Sequence, residues 1–228
     1  MSAPTPHPVV FLLDVDNTLL DNDRVVEDLR RHLDKEVGPA RAARYWEIFE
    51  ELRVELGYAD YLGALQRYRV EHPREPHLLT VSTFMVNYPF ANRLFPESLD
   101  VIEHLKQWGP AVIVSDGDVV FQPRKVECSG LFDAVDRNVL IYVHKEHELD
   151  DVERRWPAQR YVMVDDKVRL LAAIKQYWGK RVTTVFPRQG HYAHDPAELA
   201  KWPAPDVAVD RIGELLRWEL DALLAAAR

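Results

Sequence analysis

Two carboxylates, Asp14 and Asp16, follow directly on the apolar run Val9-Val10-Phe11-Leu12-Leu13. An apolar run without polar alternation reads as a strand buried on both faces, as in the middle of a parallel sheet. The carboxyl ends of such strands form the ligand crevice of open α/β sheets, so both side chains are expected there. Carboxylates that close repel one another, and a divalent cation is the simplest compensation. Two further apolar runs end in the same manner. Ala111-Val112-Ile113-Val114 leads into Ser115-Asp116-Gly117, and Tyr161-Val162-Met163-Val164 leads into Asp165-Asp166. Lys145 lies in the polar stretch between them. An oxygen-only donor set of this kind suits Mg2+, which keeps several waters and is completed by substrate phosphate.

The elements that must position these residues follow from periodicity. Strand-like runs at 9–13, 111–114, 161–164 and 182–186, a short third strand after Leu131–Val135 and an edge strand at 206–209 alternate with helical patterns. That rhythm predicts a doubly wound parallel sheet with helices on both faces. The apolar face of the helix after Pro96 is expected at Leu99, Ile102, Leu105 and Trp108. A closing amphipathic helix is expected over Ile212–Ala226. From Val25 to Val86 the pattern is helical only, broken by Gly38-Pro39, Gly57 and Pro73. Residues 22–94 therefore read as a helical insertion, with residues 1–21 and 95–228 as the α/β core.

Asp14-Val15-Asp16-Asn17-Thr18-Leu19 resembles the first motif, Asp-x-Asp-x-Thr, of the haloacid dehalogenase-like (HAD) hydrolase superfamily. Ser115 at a strand end resembles the second motif, and Asp165-Asp166 the fourth in its double-Asp form. The resemblance implies a Rossmann-like HAD core with a C1-type helical cap, Mg2+ as cofactor, and a phosphatase mechanism. In that mechanism Asp14 is the nucleophile forming an aspartyl-phosphate. Asp16 is acid and then base, and contributes its backbone carbonyl to the metal. Thr18 and Ser115, with Asp116 beside them, are the implied phosphate-binding residues, and Lys145 offsets charge on Asp14 and the phosphate. Asp166 aligns with the direct metal ligand and Asp165 with a supporting position. Lys125 competes for the role of Lys145, but it lies in a helix after Ser115, where a lysine more often points to solvent. Asp at the second position after the nucleophile matches phosphatases and mutases rather than dehalogenases, which have no alkoxide to protonate. A phosphomutase or phosphotransferase, or a non-catalytic phosphate-binding module, are the alternatives.

The 228 residues carry a formal net charge of -8. That balance argues against general nucleic-acid binding, which needs clustered basic residues. A small phosphorylated metabolite is the expected partner. With a single cysteine, Cys128, no signal-like N-terminus and no membrane-length apolar run, a cytoplasmic protein is expected. The tyrosines and Trp46 of the insert are expected as helix packing rather than a ligand cage. Arg188, in the loop after the 182–186 strand, is a candidate for holding a second anionic group of the substrate, against a competing reading in which it pairs with an acid such as Asp195.

Overall fold

A computed structural model describes residues 5–228; the first four residues of the expected core segment lie outside the described residues. Strand β1 (His7–Leu13) is the central strand of a six-stranded parallel sheet. The others are β2 (Ala111–Asp116), β3 (Val139–Tyr142), β4 (Ala158–Val164), β5 (Val182–Pro187) and β6 (Val207–Val209). The order is β3-β2-β1-β4-β5-β6, with every neighbouring pair parallel. The sheet is the α/β, Rossmann-like core expected from the sequence. Strand order reverses at β1: the chain moves out to β2 and β3, then returns to β4 on the other side. Such a switch point opens a crevice outside the carboxyl ends of the strands.

Both faces of β1 are covered, which is why its sequence shows no alternation. Val9, Phe11 and Leu13 pack in one layer with Ile113, Val162 and Val185. Val10 and Leu12 pack in the other with Val112, Val114 and Met163. Helix α5 (Ser98–Lys106) and the C-terminal segment cover the first face; α8 (Leu149–Arg155) and α9 (Val168–Trp178) cover the second. Two short helices, α6 (Phe121–Cys128) and α7 (Leu131–Ala134), connect β2 to β3.

The helical stretch contains α1 (Asn22–Val37), α2 (Pro39–Leu56), α3 (Tyr61–Glu71) and α4 (Leu78–Val86). Its limits are set by local chemistry. Asp21 caps α1 by accepting from the Arg24 N–H, Pro39 occupies the first turn of α2, and Gly57 ends that helix at φ 80°. The chain leaves and re-enters the core at one place. Leu20 and Leu94 form an isolated antiparallel bridge, and the Asp21 and Phe95 N–H groups donate to Arg93 and Leu19 carbonyls.

Two expectations need correction. The buried face of α5 runs through Val101, Ile102 and Leu105, and Leu99 is exposed, because the helix begins at Ser98 with that serine turned inward onto the Leu19 carbonyl. The C-terminal helix is also broken. A 3-10 segment (Ile212–Arg217) and α11 (Leu220–Ala225), which follows α10 (Pro196–Leu199) and β6, are separated by extended Trp218 and Glu219. The Trp218 carbonyl is drawn sideways to His104 Nε2 at 3.1 Å, which removes it from a helical ladder.

Candidate active site

The carboxyl ends of β1 and β4 bring Asp14, Asp165 and Asp166 together, all buried, with one ligand oxygen of each within 4.8 Å of the others. Register places them there. Leu13 is opposite Val164, and the Asp14 N–H continues the ladder by donating to the Val164 carbonyl at 3.0 Å.

Lys145 fills the space beneath this group. Its fully buried ammonium donates to Asp14 Oδ1, pairs with Asp165 Oδ2 at 2.6 Å and donates to the Val114 carbonyl at 3.2 Å. Burial alone would pull its pKa down; the charges of Asp14 and Asp165 outweigh it and hold the group protonated well above the usual lysine range. Asp116 accepts the Lys145 backbone N–H at 2.7 Å, so this residue, expected at the phosphate, instead anchors the lysine loop. Burial raises its carboxyl pKa.

Thr18 is also committed within the protein. Its hydroxyl donates to Asp14 Oδ2 at 3.2 Å and accepts the Asp166 N–H at 3.0 Å, tying the β1 and β4 loops together. With its one proton spent on the nucleophile candidate, Thr18 orients Asp14 rather than standing free for a phosphoryl oxygen. Ser115 Oγ accepts from Gln122 Nε2 at 2.9 Å and keeps its own proton to donate.

The two acidic residues after β4 differ. Asp165 uses Oδ1 to accept the Lys167 N–H at 2.8 Å and Oδ2 to pair with Lys145. That second contact is close, though its angles fall short of a hydrogen bond. Both oxygens of Asp166 are buried and have no partner among the described residues. Burial raises the Asp165 pKa to about 6 and pushes that of Asp166 well above the carboxylate range, each against the pull of nearby lysines. An unsatisfied buried carboxylate is costly unless a cation completes it. When ionised, the five carboxylates around the crevice (Asp14, Asp16, Asp116, Asp165, Asp166) outnumber the three ammonium groups (Lys125, Lys145, Lys167), an excess of negative charge that a divalent cation would neutralise. The residues fit such an ion.

Sequence reasoning underestimated Lys125. It is completely buried, not solvent-directed, and its ammonium binds Asp16 Oδ1 at 2.6 Å and Asn22 Oδ1 at 2.9 Å. The one-turn spacing from Phe121, over whose ring it lies at 5.3 Å, is a signal that points inward. Lys167 was also missed: it faces the crevice directly after Asp166, and Asp166 and Asp14 keep it charged in spite of burial.

Two chambers open from this cluster. Asp16, Tyr61, Asp166, Lys167 and Tyr192 line both. One, of about 210 Å³, runs past Tyr58, Gln122 and His144; the other, of about 440 Å³, runs between the core and α1 and α2 past Arg30, Trp46 and Arg53. Trp46 is thus more than helix packing. Its ring begins an aromatic chain through Phe49 and Tyr61 to Phe121 of the core.

The loop after β5 does border the crevice, but not through Arg188. That guanidinium is exposed and pairs with Asp210 at 3.2 Å, because its backbone N–H is tied to the edge strand at Val209. The residues that reach inward are Gln189, whose amide donates to the Thr18 carbonyl at 3.0 Å, His191, paired with Asp23 at 2.7 Å, and Tyr192. Gly190 lets the loop approach: a Cβ there would lie 2.5 Å from Asn17 Cβ, and its φ is 70°.

The family model for haloacid dehalogenase-like hydrolases matches residues 9–177. No curated protein matches the chain. Among solved structures, a haloacid dehalogenase-like hydrolase from Burkholderia xenovorans LB400 is 61% identical over 94% of this chain and 100% of its own, with a TM-score of 0.90. A HAD hydrolase from Bacillus subtilis, bound to magnesium, is 17% identical, with 93% and 98% of the chains covered and a TM-score of 0.60. An L-2-haloacid dehalogenase is 16% identical, with 93% and 99% covered and a TM-score of 0.64. At that identity the last two speak for the fold alone.

Proposed function

Since the chain belongs to the haloacid dehalogenase-like hydrolase family, we propose that it is a Mg2+-dependent phosphomonoesterase acting on a small phosphorylated metabolite. The observation that carries this reading is the Asp16 carboxylate, held by Lys125 on the wall of both chambers next to the buried carboxylate group. A departing alkoxide is a strong base and needs a proton. A departing halide does not, so a dehalogenase gains nothing from a carboxylic acid at that place.

Asp14, oriented by Thr18 and Lys145, attacks phosphorus and forms an aspartyl-phosphate, while the ester oxygen leaves with a proton from Asp16. A water then gives its proton to Asp16 and attacks phosphorus, releasing phosphate and restoring the Asp14 carboxylate. Asp14, Asp166 and the Asp16 backbone carbonyl would hold Mg2+, with Asp165 fixing the site from behind through Lys145 and Lys167. When bound, the ion screens the charge of the nucleophile from that of the phosphate. Ser115 and Lys167 are the side chains free to meet phosphoryl oxygens. The helical insert forms one wall of the larger chamber, and the less water it admits beside the carboxylates, the stronger each of these interactions becomes.

The test is a panel of phosphate esters, including a generic aryl phosphate, assayed for phosphate release in Mg2+ and in EDTA. Asp14→Asn is expected to abolish turnover with the fold intact, and Asp16→Asn to be nearly as severe. Absence of release from every ester, or metal-dependent release by the Asp14→Asn protein, would refute the proposal.

A further inference from the structure

The larger chamber has one electrostatic asymmetry that the reaction does not use. At the end remote from Asp166 lies Arg30 of α1, its guanidinium stacked over the Trp46 ring at 4.3 Å. Arg30 makes no ion pair or hydrogen bond among the described residues, whereas Arg53 beside it is bound to Glu50 at 2.7 Å. The chamber's third carboxylate besides Asp16 and Asp166 is Asp23, on the active-site side, and it is taken by His191 and by Asn17. Glu50 and Asp23 are therefore each matched, and Arg30, an exposed residue, is a charge without a partner among the described residues. Trp46 adds a second unmet donor. The residue is more than nine-tenths buried, lines the same chamber, and its indole Nε1 has no acceptor among the described residues. An indole N–H only donates, and a buried one is normally paired. A fork of guanidinium donors stacked on an indole with a free N–H is a receptor for a flat or tetrahedral anion.

We infer that the substrate carries a second anionic group, at the end away from the phosphoryl group, and that Arg30 and Trp46 Nε1 receive it. This rests on the phosphomonoesterase reading of the Asp14 end. A chamber of about 440 Å³ with opposite chemistry at its ends selects small molecules bearing phosphate at one terminus and carboxylate or a second phosphate at the other. The overall charge of -8 makes this local cation more discriminating, since an anion meets no general attraction elsewhere on the protein.

The experiment compares alkyl phosphates of two to six carbons with ω-carboxyalkyl phosphates and alkane bisphosphates of the same lengths, on the wild type, Arg30→Gln and Arg30→Lys. At one chain length the wild type is expected to prefer a doubly anionic ester over the plain one by on the order of ten- to a hundredfold in kcat/KM, the range of a charge-assisted hydrogen bond. The carboxylate and bisphosphate arms identify which anion it is. Arg30→Gln is expected to bring that ratio close to one, chiefly through KM, and Arg30→Lys to recover only part of it, since an ammonium neither stacks nor forks. Trp46→Phe, which keeps a ring and removes the N–H, is expected to lower the ratio by less. No preference in the wild type at any length, or a preference that survives Arg30→Gln, overturns the inference and leaves the phosphatase reading standing. Calorimetric titration with ω-carboxyalkyl and alkyl phosphonates in Mg2+ separates the two failures. If no ester is hydrolysed, the phosphatase reading falls, and an Arg30-dependent gain in phosphonate affinity still upholds the second-anion site; equal affinities reject it.

Discussion

Replacing Asp166 by Asn should stabilise the metal-free protein. Both oxygens of Asp166 are buried without partners among the described residues, and burial has raised its pKa well above the carboxylate range. A carboxyl whose folded pKa is raised weakens the folded state increasingly as pH climbs above the ordinary carboxylate value, because the unfolded chain then ionises and the folded one resists. An amide has the same shape, needs no proton and can donate to the neighbouring Asp14 or Asp165. Relief of one unsatisfied buried polar group is worth about 1–3 kcal/mol. For a chain of this length each kcal/mol moves Tm by about 2–4 °C, so the variant in EDTA should melt roughly 2–12 °C above the wild type. Mg2+ should reverse the order. At a hundredfold excess over its Kd an ion that binds only the folded state adds about 2.7 kcal/mol, a gain open to the wild type and largely closed to the variant. Thermal melts at pH 7.5 across a Mg2+ titration read both effects, and a series towards pH 4 should show the EDTA difference shrinking. An Asp166→Asn protein that melts below the wild type in EDTA, or that shows the same Mg2+ shift, refutes the reasoning.

Lys145→Met should cost about 3–5 kcal/mol in EDTA, the penalty for leaving buried charges unpaired, and Mg2+ should restore part of it; a loss under 1 kcal/mol in a urea melt contradicts this. Gly190→Ala places a Cβ against Asn17 at positive φ and should destabilise by roughly 1–3 kcal/mol, with a fall in kcat/KM as the loop backs away from the crevice. Asp28 receives hydrogen bonds from Tyr88, Arg93 and Arg31 that overcome the effect of burial and hold its pKa down at about 2. A depressed carboxyl stabilises above its unfolded value of 3.8 and loses that contribution as pH falls towards 2. Asp28→Asn should therefore cost about 1 kcal/mol at pH 7, after discounting for solvent screening. Denaturant melts should show this gap closing between pH 5 and 2.

The strand ends were legible in the sequence because a parallel strand covered on both sides has no polar alternation, so Asp14, Ser115 and Asp165 stand out at the first break in an apolar run. The helical stretch was legible for a similar reason, its 3.6-residue period and its Gly and Pro stops at Gly38-Pro39 and Gly57. What the pattern could not carry was the direction of single polar side chains. Lys125 looks like a solvated helix residue, and Lys167 like a solvated residue ahead of one, until the crevice is assembled around them; Arg30, with Glu27 and Asp34 each one turn away, has the same local pattern as its ion-paired neighbours Arg24 and Arg31. For Arg188, loop position leaves the side chain open between a substrate anion and an acidic neighbour, and the guanidinium takes the second, with Asp210 in place of Asp195. The backbone N–H of that residue holds it to β6, and the inward positions fall to Gln189 and Tyr192. The C-terminal helix was over-extended because apolar spacing in 212–226 is the same whether or not a carbonyl is diverted at Trp218.

The choice of lysine rather than arginine at position 145 follows from the geometry it must satisfy. Three acceptors converge on one point from three elements: Asp14 after β1, the Val114 carbonyl in β2 and Asp165 after β4. From a single nitrogen the ammonium donates to the first two and ion-pairs closely with the third, whereas a planar guanidinium spreads its donors over a fork and would push the strands apart. At the open end of the larger chamber the demand is reversed. A substrate anion must be met across a solvent-facing surface and against an aromatic ring, which suits the planar, weakly hydrated group of Arg30 on Trp46. The same net-negative chain thus handles charge in two ways: buried ammonium groups that hold its own carboxylates in place for chemistry, and a guanidinium without a partner that is left for the substrate.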